Sequence, residues 1–130
     1  MIVDSSAIIA MLRAEPEAEA YAASILDDDE TLISAANYLE SAIVIDRDRD
    51  GVISARLDAL LQQLGIEVTP VTASQARLAR QAYRDFGRGS GHPAKLNFGD
   101  CFAYALATER GDTLLYKGDD FAHAGFARAG

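Results

Sequence analysis

The chain has one cysteine, Cys101, two histidines, and no hydrophobic run approaching the roughly 20 residues that span a bilayer. A single thiol excludes an internal disulfide framework and fits a reducing compartment. No histidine or thiolate pattern suggests zinc. The N-terminus begins with apolar residues instead of the cationic segment that opens a signal peptide. A cytoplasmic protein without membrane association is therefore expected. Positive charge is also scarce: 12 Lys and Arg stand against 20 Asp and Glu, a formal net charge of -8. That balance counts against broad phosphate binding, which needs clustered cations. The cations are nevertheless clustered. Arg77, Arg80, Arg84, Arg88 and Lys95 fall within residues 77–95, opposed only by Asp85.

What is present describes an ordinary globular chain, with 49% apolar and 25% charged residues. Its 130 residues suit one domain, 1–130, that buries roughly two-thirds of its unfolded surface. "MIV" reads as a short strand and Ser5 to about Leu12 as a helix; Pro16 fits the first turn of a second helix reaching about Leu26. "TLIS" is a second strand, and Ser34 caps a helix from Ala35 to about Arg49, broken by "RDRDG". "VISARLDALLQQLG" predicts a helix stopped by Gly65, and "IEVTPV" a third strand. Thr72 and Gln75 have capping-box spacing before a helix to about Phe86, with Ala76, Ala79, Tyr83 and Phe86 on one face. After the loop "GRGSGHPAK", Asn97 caps a helix from Phe98 to about Arg110; "TLLY" is a fourth strand and "GDDF" a turn. Strands alternating with helices predict an α/β fold, a short central parallel sheet covered on both faces in three α/β/α layers. Ligands of such sheets bind at the carboxyl ends of the strands.

Acids recur at those ends. Asp4 closes the first strand, and Asp119 and Asp120 follow the fourth. Taken singly, each reads first as a helix cap or turn residue. Asp100, three residues after Asn97, suits a helix first turn. Glu40 differs: with Ala36, Leu39 and Ile43 as the inward stripe, it falls between that stripe and Val44, facing the core without a basic partner at helical spacing. Carboxylates converging on one point repel and raise one another's pKa unless a cation lies between them. An oxygen-only cluster suits Mg2+ or Mn2+, and the chemistry it implies is metal-assisted phosphodiester hydrolysis.

"MIVDSSAI", "AANYLESAIVI", "LNFGDCFAYALA" and "LLYKGDDFAHAG" together resemble the four signature blocks of PIN-domain ribonucleases of the VapC toxin type, in order and across almost the whole chain. The resemblance implies a PIN-like fold, Mg2+-dependent endoribonuclease activity on RNA, a homodimer, and inhibition by a cognate VapB-like antitoxin. It matches Asp4, Glu40 and Asp100 to the family's metal-coordinating acids. Asp120, directly before Phe121, takes the fourth place, with Asp119 as its substitute. Ser6 and Asn97 match supporting polar positions. Relatives continue past the "DF" block into a final strand, whereas only "FARAG" closes this chain, a departure that bears on the dimer edge.

Arg84, Arg88 and Lys95, nearest the acids, are expected to track RNA phosphates, while Arg77 and Arg80 read as a solvated face. Several features are decoys. "DRDRDG" imitates a calcium loop, but Leu57 stands where the bidentate Glu is required. Cys101 has no histidine beside it and reads as core; His92 and His123 read as surface residues. The competing class is a metal-binding, non-catalytic module, either a phosphoacceptor receiver or an inactive PIN domain. A receiver needs an acid pair after the first strand and an Asp after the third; Asp4 stands alone, and "IEVTPV" ends without one.

Overall fold

The computed structural model describes residues 1–127. Its first element, β1 (Ile2–Val3), leads into α1 (Ser5–Leu12) and α2 (Ala18–Leu26). Next come β2 (Thr31–Ser34), α3 (Ala35–Asp46), α4 (Gly51–Leu64), β3 (Ile66–Thr69) and α5 (Ala73–Phe86). The chain closes with α6 (Phe98–Arg110), β4 (Leu114–Leu115) and α7 (Asp120–His123). All strand pairings are parallel, in the order β3-β2-β1-β4, with Ile2 opposite both Leu32 and Leu114. The chain moves outward from β1 through β2 to β3, then crosses back to place β4 on the other side of β1. The topological switch therefore lies between β1 and β4, where open parallel sheets form their ligand crevice.

Strand alternation divides the core. Val3, Ile33 and Leu115 pack on one face with α1, α2, α3 and α4. Ile2, Leu32, Leu114 and Tyr116 pack on the other with α5, α6 and α7. Both faces are thereby covered, which gives the three α/β/α layers, and explains why these strands are apolar on both sides. Caps fix the helix starts. Asp4, Ser34, Asp50, Thr72 and Asn97 each accept a backbone N–H from the first turn. Gly65 and Gly111 end α4 and α6 with φ of 67° and 61°, a backbone that glycine adopts without strain.

Four sequence expectations need correction. First, α2 starts at Ala18, two residues beyond Pro16, and α3 stops at Asp46, so the acidic "DRDRDG" stretch is a helix end plus the Asp50 cap of α4. Second, "GDDF" is a turn that runs into the one-turn helix α7. Third, the inward face of α3 is Asn37, Ser41 and Ile45, while Leu39 and Ile43 are exposed. The polar pair makes hydrogen bonds inside the core: Ser41 Oγ donates to Asn37 O at 2.8 Å, and Asn37 Nδ2 to Gly99 O at 2.9 Å, while Asn37 Oδ1 is buried without a partner. Fourth, α5 buries Gln75, Ala79 and Ala82, leaving Ala76 and Tyr83 outside. Thr72 Oγ1 caps Gln75 N at 3.1 Å, but the Gln75 side chain turns to Glu109 at 3.1 Å. The expected capping box is therefore only half made.

Candidate active site

A cleft of about 260 Å3 opens at the carboxyl ends of β1 and β4, lined by Asp4, Ser6, Glu40, Asn97, Asp100 and Asp120 among others. It brings together the four acids singled out from the sequence, each delivered by a different element. Asp4 leaves β1 and caps α1, its Oδ2 accepting Ser6 N at 3.0 Å. Its other oxygen, Oδ1, is buried without a hydrogen-bond partner. Burial raises the Asp4 pKa to about 7; hydrogen bonding from Ser6 opposes the rise, and the charges of Asp100 and Glu40 add to it.

Asp100 occupies the first turn of α6 in a reciprocal capping box. Asn97 Oδ1 accepts Asp100 N at 2.9 Å, and Asp100 Oδ2 accepts Asn97 N at 3.0 Å. Burial lifts its pKa to about 6, helped by Asp120 and Glu40 and resisted by the capping bond and by Arg88. Asp120 opens α7 and lines the cleft; Asp119 sits one residue earlier, at the cap position of α7.

Glu40 lies mid-helix, with no helix N-terminus to hold it, and relies on side chains. Ser5 Oγ donates a short hydrogen bond to its Oε1, and Asn37 Nδ2 donates to the same oxygen at 3.3 Å. The carboxylate lies against Gly99, where a Cβ would collide with it. Ser5, Asn37 and Gly99 were not singled out from the sequence. The available signals were the serine adjoining Asp4, the asparagine one turn before Glu40, and the glycine adjoining Asp100.

The remaining expectations divide. Ser6 Oγ accepts Lys117 N at 2.9 Å, which ties α1 to the turn carrying Asp119 and Asp120. Asn97 lines the cleft and caps α6. Arg88 alone of the proposed phosphate contacts acts on an acid of the cleft, Asp100; Arg84 and Lys95 are exposed outside its lining. The loop between α5 and α6 is pinned at its base by Arg88 N to Leu96 O at 3.0 Å and Leu96 N to Phe86 O at 2.9 Å. Cys101 is buried, its thiol donates to Asn97 O at 3.2 Å, and burial pushes its pKa to about 11. It is no nucleophile. His92 is half-buried and packs edge-on against Phe86, with ring centroids 4.8 Å apart.

The donors facing the cleft are oxygens, the set preferred by hard divalent cations, and the unpartnered Asp4 Oδ1 is a buried acceptor lacking a positive group. The residues present therefore fit such an ion chemically. As the side chains lie, no three Asp, Glu, His or Cys groups among the described residues are arranged to hold one ion together. No described helix is long and apolar enough to cross a membrane.

The family model for the PIN domain matches residues 1–127. Ribonuclease VapC28 of Mycobacterium tuberculosis is 60% identical over 129 residues, 99% of this chain and 97% of that protein. Ribonuclease VapC42 of the same organism is 48% identical over 123 residues, covering 95% and 94%. Among solved structures, Mycobacterium tuberculosis VapC20 superposes with a TM-score of 0.76 over 97% of this chain and 95% of that one, a likeness of fold at 21% identity. With its acids gathered at the β1–β4 switch point and this similarity along its full length, the chain belongs to the PIN-domain family, among its VapC ribonucleases.

Proposed function

We propose that the cleft hydrolyses RNA phosphodiester bonds as a divalent-metal-dependent endoribonuclease, with Asp4 and Asp100 holding Mg2+ or Mn2+ and Glu40 and Asp120 completing the acidic set. One observation carries the reading. A buried carboxylate oxygen, Asp4 Oδ1, has no partner, on a group whose pKa is raised to about 7 beside another raised to about 6. Without a cation that arrangement is costly; with one it is stabilising. When bound, the ion would activate water and stabilise charge on the departing oxygen.

The chain's own residues supply position. Ser6 N holds Asp4 in one orientation, and the capping box does the same for Asp100. Ser5 and Asn37 hold Glu40, while the Ser6–Lys117 bond secures the turn that leads to Asp120. Arg88, beside Asp100, is suited to bind the RNA phosphate, with Arg84 and Lys95 extending the basic track. As the toxin half of a pair, the protein acts in the cytoplasm as a homodimer, and a cognate VapB-like antitoxin silences it. The names of the relatives support the antitoxin reading.

The test is cleavage of an RNA panel in Mg2+, Mn2+ or EDTA by the wild type and Asp100→Asn. The amide still accepts the Asn97 N–H, so the variant folds, and cleavage falls by at least about a hundredfold, the loss expected when a principal source of charge stabilisation is removed. Equal cleavage in EDTA, or by Asp100→Asn, refutes the mechanism.

A further inference from the structure

The loop that joins α5 to α6 holds a pocket of about 640 Å3, and no carboxylate lines it. Arg88, His92 and Lys95 supply its side-chain polar groups, and neither the guanidinium nor the ammonium belongs to an ion pair among the described residues. The Arg88 charge also acts on Asp100, which sets that end of the pocket beside the acidic cleft. The imidazole is preset as a donor. His92 Nδ1 accepts Ala94 N at 3.1 Å, so the neutral ring carries its proton on Nε2, and Phe86 meets the ring edge-on with centroids 4.8 Å apart. Backbone groups add to the set. The sign of φ is positive at Gly89 (87°) and Gly91 (85°) but not at Ser90 between them, the alternation found in anion-binding nests, and the N–H groups of both glycines have no acceptor among the described residues.

The loop is built before any ligand arrives. Ser90 Oγ donates to Gly87 O at 2.6 Å and accepts His92 N at 3.2 Å, while Gly87 bridges to Leu96 at the base. Lys95 is held at a φ of 50°, a backbone that residues with a Cβ seldom adopt. Every side-chain group offered is a donor, so the occupant is an anion. A planar carboxylate suits a single guanidinium fork, whereas the tetrahedral oxygens of a phosphate accept donors arriving from several sides. A chain of net charge -8 that brings a polyanion to an acidic cleft also needs positive charge beside it.

Resting on the RNA-cleaving reading of the neighbouring cleft, we infer that this loop is a preformed phosphate pocket holding an RNA phosphodiester that flanks the bond to be cut. His92 donates to it as the neutral imidazole through Nε2, Arg88 and Lys95 supply the charge, and the N–H groups of Gly89 and Gly91 complete the donors. This gives His92 a substrate role beyond the surface-residue reading of the sequence. Because the donors are placed before binding, little ordering entropy opposes it.

The probes are a short oligouridylate, inorganic phosphate and a polyglutamate of equal charge to the oligouridylate, titrated into the full chain in EDTA and followed by NMR. Oligouridylate and phosphate both shift the Gly89 and Gly91 amides and the His92 ring, and polyglutamate binds more weakly than oligouridylate. A hydrogen bond to a charged acceptor corresponds to about a 10- to 150-fold change in affinity. His92→Asn keeps an acceptor near the place of Nδ1 for Ala94 N but has no donor at the place of Nε2. The loop therefore stays folded, as unchanged Gly89 and Gly91 signals in the free protein verify, while oligouridylate affinity falls by a factor in that range. Lys95→Gln lowers the salt slope of oligouridylate binding by about 0.7. Unchanged affinity in His92→Asn, loop signals that phosphate moves and oligouridylate does not, or polyglutamate bound at the loop as tightly as oligouridylate overturns the inference, the last by assigning the pocket to an acidic protein segment. Should His92→Asn disturb the free loop, Lys95→Gln decides, and an unchanged slope there overturns it. These titrations read binding without metal, so their failure leaves the cleft's chemistry standing, and metal-independent cleavage would refute that chemistry alone.

Discussion

Asp4→Asn should make the metal-free protein more stable at alkaline pH and leave its stability nearly unchanged near pH 5. Asp4 has an ordinary pKa of 3.8 and one of about 7 in the folded chain, chiefly because it is buried. The folded state thus holds the proton more tightly than the unfolded state. Its contribution is fully present below pH 3.8 and is lost as pH rises through about 7. A shift of about three units corresponds to about 4 kcal/mol between the extremes. Asparagine removes the charge and keeps an acceptor for Ser6 N, but leaves a buried amide N–H where Oδ1 has no partner; that donor costs about 1–3 kcal/mol. The difference leaves a net gain of about 1–3 kcal/mol at pH 8, or roughly 4–12 °C in melting temperature for a domain of this size. At pH 5 the folded Asp4 is protonated while the unfolded carboxyl, with its ordinary pKa of 3.8, is ionised, so about 1.6 kcal/mol of its contribution is already lost; that offsets the amide cost, and the two proteins should melt within a few degrees of each other. Thermal melts in EDTA at both pH values measure this, and a repeat in excess Mg2+ at pH 8 supplies the counterpart. Wild type should gain about 2–3 kcal/mol at a hundredfold excess over its dissociation constant, and the variant far less. A variant less stable than wild type in EDTA at pH 8, with the same pH dependence, would refute the account of Asp4 as a strained anion awaiting a cation.

Other perturbations separate the parts of the site. Gly99→Ala introduces a Cβ that collides with the Glu40 carboxylate, at a position whose backbone suits any residue; activity should fall at least about tenfold, with a stability cost of about 1–3 kcal/mol by chemical denaturation. In a Glu40→Ala background that cost should vanish, and its persistence would place the clash elsewhere. Asn37→Ala removes two hydrogen bonds made by a fully buried side chain that joins α3 to α6 and should cost about 2–4 kcal/mol; a loss under 1 kcal/mol would contradict that linkage. Arg88→Ala should lower the salt slope of RNA binding by about 0.7, the value of one single-strand phosphate contact, and raise the Asp100 pKa further by removing a favourable charge. An unchanged slope would return Arg88 to solvent.

The fold was legible wherever local chemistry decided it. Ser34, Thr72 and Asn97 start helices because their side chains accept orphan N–H groups, and Gly65 stops one because left-handed backbone suits glycine. Apolar periodicity failed on α3 and α5 for an identifiable reason. On α3 the inward positions go to Asn37 and Ser41, which hydrogen-bond within the core, so Leu39 and Ile43 face out. On α5 alanines allow close approach to α6, and Tyr83 is left to form the wall of a groove instead of entering the core. Both failures lie beside the cleft, where side-chain identity answers to the site as well as to burial.

The same physics explains why structural and functional readings of the acids could not be separated in the sequence. Asp4, Asp100 and Asp120 each sit at the start of a helix, α1, α6 and α7, and all three helices begin at one edge of the sheet. A helix start presents unpaired N–H groups and the positive end of its dipole, so it stabilises a carboxylate before any metal arrives. Capping is therefore how several acids can be gathered at one point without unfolding the chain. A cap and a metal ligand are then two uses of one carboxylate, divided between its oxygens: Asp4 gives Oδ2 to Ser6 N and keeps Oδ1 unpartnered. Glu40 lies beyond the reach of any helix start on its own element, and side chains replace the dipole there. Ser5 and Asn37 make the bonds that N–H groups make for Asp4 and Asp100, and Gly99 clears the space. Those three residues follow from the position of one acid, so their adjacency to Asp4, Glu40 and Asp100 in the sequence acquires meaning only once Glu40 is placed in space.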